Sequence, residues 1–238
     1  MDIIILLTIM ITSFIQSIFG TGVLLFGTPI LLLFGYDFQN ILIILLPTSI
    51  LINLSQLKAN FQNISIKFYK KLFIYSIPFI ILLLYLVTIS QIKIDLFVGV
   101  IIISICLKDY ISFINKGVKY IIKYENLYLM IMGIIHGITN LGGALLSTII
   151  FSKKMTKIQT RTTIAVCYLT FAVFQILTLL SLINYNHLTI IVNFYYWIIG
   201  LIIFFIVETY LYPKINEEKY SQLFKLFLFS IGLLLLIK

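Results

Sequence analysis

Charge is what this chain has least of. Of its 238 residues, 11% are Asp, Glu, Lys or Arg and 61% are apolar. An ordinary soluble domain carries about 25% charged and about 45–50% apolar residues. A soluble fold of this size could not cover its surface, which excludes a cytosolic globular enzyme, a nucleic-acid binder and a disordered segment. Cysteine is scarce as well. Cys106 and Cys167 both lie in apolar runs, which argues against a disulfide framework, and no Cys-x-x-Cys metal pair exists. Also missing are His-Glu-x-x-His, Gly-x-Ser-x-Gly, a phosphate-binding P-loop and any pair of Asp residues inside an apolar run. The chain therefore reads as a non-enzyme with no cofactor and no metal site.

What is present is apolar length. Mean hydropathy is +1.14, and at about 20 residues per transmembrane helix there is room for about seven or eight spans. The net charge is +9, with Arg161 the single arginine among 17 basic residues. The lysines sit in the gaps between apolar runs, where they mark cytoplasmic loops rather than a nucleic-acid surface. The chain starts Met1-Asp2 and enters an apolar run without a basic lead, so the segment reads as retained rather than cleaved.

The apolar runs cover residues 3–36, 38–57, 72–92, 94–107, 126–152, 162–207 and 226–237, with residues 184–187 dividing the longest into two spans. They do not alternate as the strands of a membrane barrel would. Residues 108–125 form the one long polar connection. Two runs are interrupted, the first by Phe19-Gly20-Thr21-Gly22 and the second by Thr139-Asn140-Leu141-Gly142-Gly143. Superposing these breaks gives an offset of 121 residues, and the same offset aligns the three following segments of each half. One register for four segments predicts an internal duplication: repeat 1 over residues 1–115, a basic cytoplasmic linker over 116–125 and repeat 2 over 126–238.

Lysine placement then constrains topology. If residues 126–151 crossed the membrane once, the basic cluster Lys153, Lys154, Lys157 and Arg161 would lie outside, against the positive-inside rule. If that segment enters and returns, the cluster stays inside. Its halves, about 13 residues each, are too short to span about 30 Å separately. Each repeat is then one glycine-broken hairpin plus three spans, an odd number of crossings, and the repeats are inverted. Eight plain spans in parallel repeats is the competing count. Inverted repeats with broken helices are a recurrent transporter plan.

The candidate binding residues follow. Gly20, Gly22, Gly142 and Gly143 permit left-handed backbone or close approach, and non-helical backbone at membrane depth occurs where it is buried or lines a cavity. Thr21, Thr28, His136, Thr139 and Asn140 flank the breaks, with His136 also a candidate proton shuttle. From the following helices come Thr48, Ser49 and Asn53 after Pro47, and Arg161, Thr162 and Thr163. Hydroxyls, amides and one guanidinium suit a small oxyanion. For each side chain, plain helix-to-helix hydrogen bonding is the competing role.

The run from Ser17 through Phe19-Gly20-Thr21-Gly22 to Pro29 resembles the glycine-rich first-helix signature of the sulfite exporter TauE/SafE family of permeases. Gly137 to Ala144 is similar to the family's second glycine motif, and Arg161-Thr162-Thr163 to the segment opening its next helix. Val23 and Ala144 stand where the family has glycine, and no proline follows the second motif. The resemblance covers essentially the whole chain. It implies a multi-pass cell-membrane permease whose partners are the lipid bilayer and small sulfur-containing or organic anions such as sulfite, thiosulfate or sulfonates, with proton coupling. A non-transporting membrane scaffold is the alternative from another class, and homo-oligomerisation is left open.

Overall fold

The computed structural model describes residues 2–90, 121–153, 155–182 and 193–216, with single positions at 94, 97, 98, 100, 117 and 120. The expected spans at 94–107 and 226–237 and the turn at 184–187 lie outside the described residues. Among the described residues every regular element is helical.

Helix α1 (Ile3–Phe19) is started by Asp2, whose carboxylate accepts from the Ile4 amide at 2.9 Å, the usual remedy for the free N–H groups of a first turn. It stops at Gly20, which has φ +78° and donates its N–H to the Gln16 carbonyl at 2.8 Å, a left-handed cap that glycine adopts without penalty. After Thr21 and Gly22 the chain re-enters helix as α2 (Val23–Leu33). Tyr36, just past α2, donates its hydroxyl to the Asp2 carboxylate, so this broken segment ends where it began.

The second broken segment is built alike. Helix α5 (Glu125–Thr139) is followed by α6 (Gly142–Ser152). Glu125 at its start pairs with Lys153 at its end, 2.8 Å apart. Both are hairpins. In the second break the left-handed residue is Asn140, at φ +62°, rather than a glycine.

Four described helices are long and apolar enough to cross a membrane: α3 (Phe38–Asn60), α4 (Ile66–Ser90), α7 (Lys157–Leu182) and α8 (Phe194–Tyr210, continuing to Lys214). Helix α4 begins six residues before the apolar run at 72, and α7 five residues before the run at 162. Charge-free runs understate these helices because their first turns carry lysine at the bundle end, where long stems lie along the helix and the ammonium reaches water.

Helices α3 and α7 pack against each other at the centre. Their best spanning windows are 72% and 67% buried, against 39% for α4 and 22% for α8. This is why α3 and α7 can hold polar residues, whereas α4 exposes Ile74, Leu82 and Leu86 and α8 exposes Ile198, Ile202 and Phe205. Outward apolar stripes of this size are suited to lipid and not to water.

Helix α5 seats on α4 through Gly133 and Gly137. A Cβ on either would come within 2.6 Å of the Ser76 carbonyl oxygen or 2.9 Å of the Ile80 one. Such Gly-x-x-x-Gly spacing lets two helices approach closely where no hydrophobic effect drives them together.

Candidate functional site

The two breaks converge on α7. Its twelfth residue of 26, Tyr168, stands close to its middle. A Cβ on Gly143 would fall 1.1 Å from the Tyr168 hydroxyl, so any larger residue there must displace the Tyr168 ring. From the other break, Thr21 lies beside the same hydroxyl. The outer ends of the breaks spread apart along α7. Gly20 packs 2.9 Å from the Arg161 carbonyl oxygen through its would-be Cβ, while Asn140 is held by Gln175. At 1.5 Å per residue these two points are about 21 Å apart.

Each break is braced by side-chain amides. Gln16 accepts from the Val23 amide at 2.9 Å and donates to Asn53 at 3.1 Å, which in turn donates to Ser49 at 3.2 Å. Gln56 donates to the Gln16 carbonyl at 3.0 Å. A Cβ on Gly22 would lie 2.5 Å from both the Thr12 oxygen and the Gln16 nitrogen. At the second break Asn140 donates to Thr28 at 2.8 Å and accepts from Gln175 at 3.2 Å. Thr139 accepts from the Leu141 amide at 3.3 Å. The Gly142 amide donates to His136 Nδ1 at 3.2 Å, and the His136 ring packs 4.6 Å from that of Phe171.

Arg161 is buried, and its fork is engaged. One terminal nitrogen donates to Glu208 at 3.0 Å, while the other donates to the second Glu208 oxygen and to the Ser17 carbonyl. Its guanidinium lies 3.8 Å over the Tyr212 ring. The positive charge therefore meets a free carbonyl at the C-terminal end of α1, where a cation is favoured. Thr162 donates to the Ile158 carbonyl at 2.8 Å, and Thr163 accepts from the Ser65 amide at 3.1 Å. The Thr162 bond lies within α7, and the Thr163 bond ties α7 to the turn before α4.

Among the buried polar atoms of the described residues, Ser13 Oγ, Thr21 Oγ1, Thr48 Oγ1, Gln56 Oε1, Thr88 Oγ1, His136 Nε2, Ser147 Oγ, Arg161 Nε, Tyr168 OH, Gln175 Oε1 and Trp197 Nε1 have no hydrogen-bond partner. Buried polar atoms are normally satisfied, so each such atom needs an explanation. The set includes Thr21, Thr48, His136 and Arg161 from the sequence reading. Sequence reasoning left out Tyr168, whose hydroxyl is masked by an otherwise core-like ring. Ser13 and Thr48 meet at Gly200 of α8, whose would-be Cβ lies 2.8 Å from Ser13 Oγ and 2.6 Å from Thr48 Cγ2.

A family model for the sulfite exporter TauE/SafE proteins matches residues 5–235. The chain belongs to that family. No curated protein and no solved structure matched the chain. As a TauE/SafE chain it belongs to a family of membrane transporters rather than enzymes, and its four long apolar helices agree with a multi-pass membrane protein.

Proposed function

We propose that this TauE/SafE chain is a secondary transporter of small sulfur-containing or organic anions, sulfite, thiosulfate and sulfonates among them, moved together with a proton across the cell membrane. Alternating access would occur around the two glycine breaks. The observation that carries this reading is the cluster of buried, unpartnered polar atoms where both breaks meet α7. Fixed neutral donors and backbone amides stabilise an oxyanion in a site that excludes water.

The architecture supports inverted repeats over residues 1–115 and 126–238. Shifting α1, α2, α3 and α4 by 121 residues lands them on α5, α6, α7 and α8. Exchanging the two sets also maps the packing onto itself: α4 with α5 becomes α8 with α1, α4 with α7 becomes α8 with α3, and α3 with α7 is kept. The ends of the bundle differ in charge. Among the described residues, Asp2 and Asp37 mark one end, with Tyr36 and the start of α8. Lys58, Lys67, Lys70, Lys71, Lys153 and Lys157 mark the other, which the positive-inside rule makes cytoplasmic.

The test is uptake of labelled sulfite, thiosulfate and methanesulfonate by proteoliposomes holding the purified chain. Uptake above that of empty liposomes is expected, and it should be weakened by Thr21→Val together with Tyr168→Phe. Absence of uptake and of any anion-dependent thermal shift would leave a scaffold in its place.

A further inference from the structure

We propose that the site favours singly charged oxyanions, that a titrating oxyacid such as sulfite enters in its singly protonated form, and that the proton transported with such a ligand rides on it rather than on His136. This inference rests on the transport reading above and specifies its ligand.

Three observations carry it. The first is the tautomer of His136. Its Nδ1 accepts the Gly142 N–H at 3.2 Å, so Nδ1 holds a lone pair, the ring proton sits on Nε2, and the imidazolium is excluded while that bond stands. His136 Nε2 is then a buried donor without a partner. The bond is built into the break. Gly142 approaches the His136 side chain so closely that a Cβ there would lie 2.5 Å from His136 Cβ. A proton shuttle must take and release a proton on one nitrogen while the other accommodates it, and here the second nitrogen is committed to the backbone.

The second is the mixture of donors and acceptors. Thr21 and Tyr168 offer hydroxyls, His136 offers Nε2–H, and all three lack partners. Gln175 lies beside His136 and directs its Nε2 to Asn140, leaving Oε1 unpartnered. An amide oxygen accepts only. Hydroxyls and an N–H beside an oxygen that only accepts match an oxyanion bearing bare oxygens and one O–H. A fully deprotonated oxyanion would face Gln175 Oε1 with lone pairs alone.

The third is charge. Arg161 is the one buried Lys, Arg, Asp or Glu among the described residues. It is paired with Glu208 and stands seven residues below Tyr168, about 10 Å along α7. The titratable groups around the site are Tyr168 and Cys167 on α7 and Tyr128 lower on α5. Glu125 with Lys71 and Lys153 stands at the foot of α5, about 16 Å from His136. Helix α2 contributes no titratable side chain. With neutral donors only, the desolvation penalty grows as the square of the charge, so a dianion costs about four times a monoanion. Moving the protonated monoanion is equivalent to moving the dianion with one proton, so coupling needs no titrating side chain.

The test is equilibrium exchange in proteoliposomes at equal internal and external pH, with labelled sulfite and, separately, selenite, two oxyacids of different pKa. Above each ligand's own pKa, exchange is expected to fall about tenfold per pH unit, with a midpoint that moves when the ligand is changed. His136→Gln keeps a neutral donor and should retain that midpoint. Gln175→Leu removes the acceptor and should erase the advantage of hydrogen sulfite over methanesulfonate, which has no O–H. Nitrogen-15 NMR of histidine-labelled wild-type protein should show the neutral Nε2–H tautomer of His136 from about pH 5 to 8. Exchange that is flat or rising above the ligand pKa, a midpoint fixed across ligands, or an imidazolium signal would overturn the proposal and leave transport standing. No exchange of any oxyanion at any pH would remove the transport reading itself.

Discussion

Tyr168 joins the two breaks, touching Thr21 and Gly143 at once. Its hydroxyl has no partner, so removing it leaves no new orphan among its neighbours. Tyr168→Phe is therefore expected to unfold in detergent within about 0.5 kcal/mol of wild type, while sulfite exchange drops about tenfold, the worth of one lost hydrogen bond to a charged ligand. Gly143→Ala separates packing from chemistry. Its Cβ would overlap the Tyr168 oxygen and should cost about 1–3 kcal/mol of stability by overpacking, readable in the same melt. Arg161 is a positioning residue on this geometry, because both its terminal nitrogens are engaged by Glu208 and Ser17 and only Nε is left without a partner. Breaking a buried pair by neutralising one partner is costly, although Glu208 is 29% exposed. Glu208→Gln should destabilise by about 1–2 kcal/mol after that solvent screening. Arg161→Lys keeps the charge but cannot reach two oxygens and a carbonyl together, so it should lose a similar amount in thermal unfolding. The partnership was invisible in sequence: Arg161 reads as an oxyanion fork, and only the fold brings Glu208 to it across 47 positions.

At the scale of elements, the breaks were legible because glycine and polar residues interrupt apolar runs, and α1–α2 and α5–α6 divide within those windows. The starts of α4 and α7 were not, because a charge-free run ends at the first lysine and their first turns are basic. Nor was the seat of α5 on α4 read, although Gly133 and Gly137 stand at the right spacing; glycine there was overshadowed by the break downstream. Gly133→Leu is expected to push α5 off the Ser76 carbonyl and cost about 1–3 kcal/mol or more, with reduced yield of folded protein on size-exclusion chromatography. The foot of the second hairpin has a pH signature. Burial opposes the charged form of Glu125, but hydrogen bonds from Lys153 and Lys71 and their charges outweigh it, holding the carboxyl below its ordinary 4.5. A depressed carboxylate stabilises the fold above its unfolded value, and that contribution is lost as pH falls through the folded one. Glu125→Gln should thus be about 0.5–1 kcal/mol less stable than wild type at neutral pH, the gap closing below about pH 4 when both are melted across a pH series.

At the scale of the whole molecule, the two clasps bear on the proposed topology. Tyr36 bonded to Asp2 and Lys153 bonded to Glu125 return each broken segment to its own starting end. Lys71 at the start of α4 pairs with Glu125, and Asp2 donates its N–H to Tyr196 at the start of α8, contacts that support the proposed entry of the two hairpins from opposite ends. A through-going α5–α6 would instead send Lys153 away from Glu125. Gln62 lies in the exposed turn after α3, Ser152 is exposed at the close of the second hairpin, and Phe34 is exposed past α2. In a background with Cys106→Ser and Cys167→Ala, single cysteines at these three positions are to be probed in intact cells with a membrane-impermeant maleimide. Inverted hairpins require Gln62→Cys and Ser152→Cys to be shielded together and Phe34→Cys to react from outside. Eight plain spans would place Ser152→Cys on the opposite side from Gln62→Cys, so labelling of Ser152→Cys beside a silent Gln62→Cys would refute the hairpin and, with it, the antiparallel relation of the two halves.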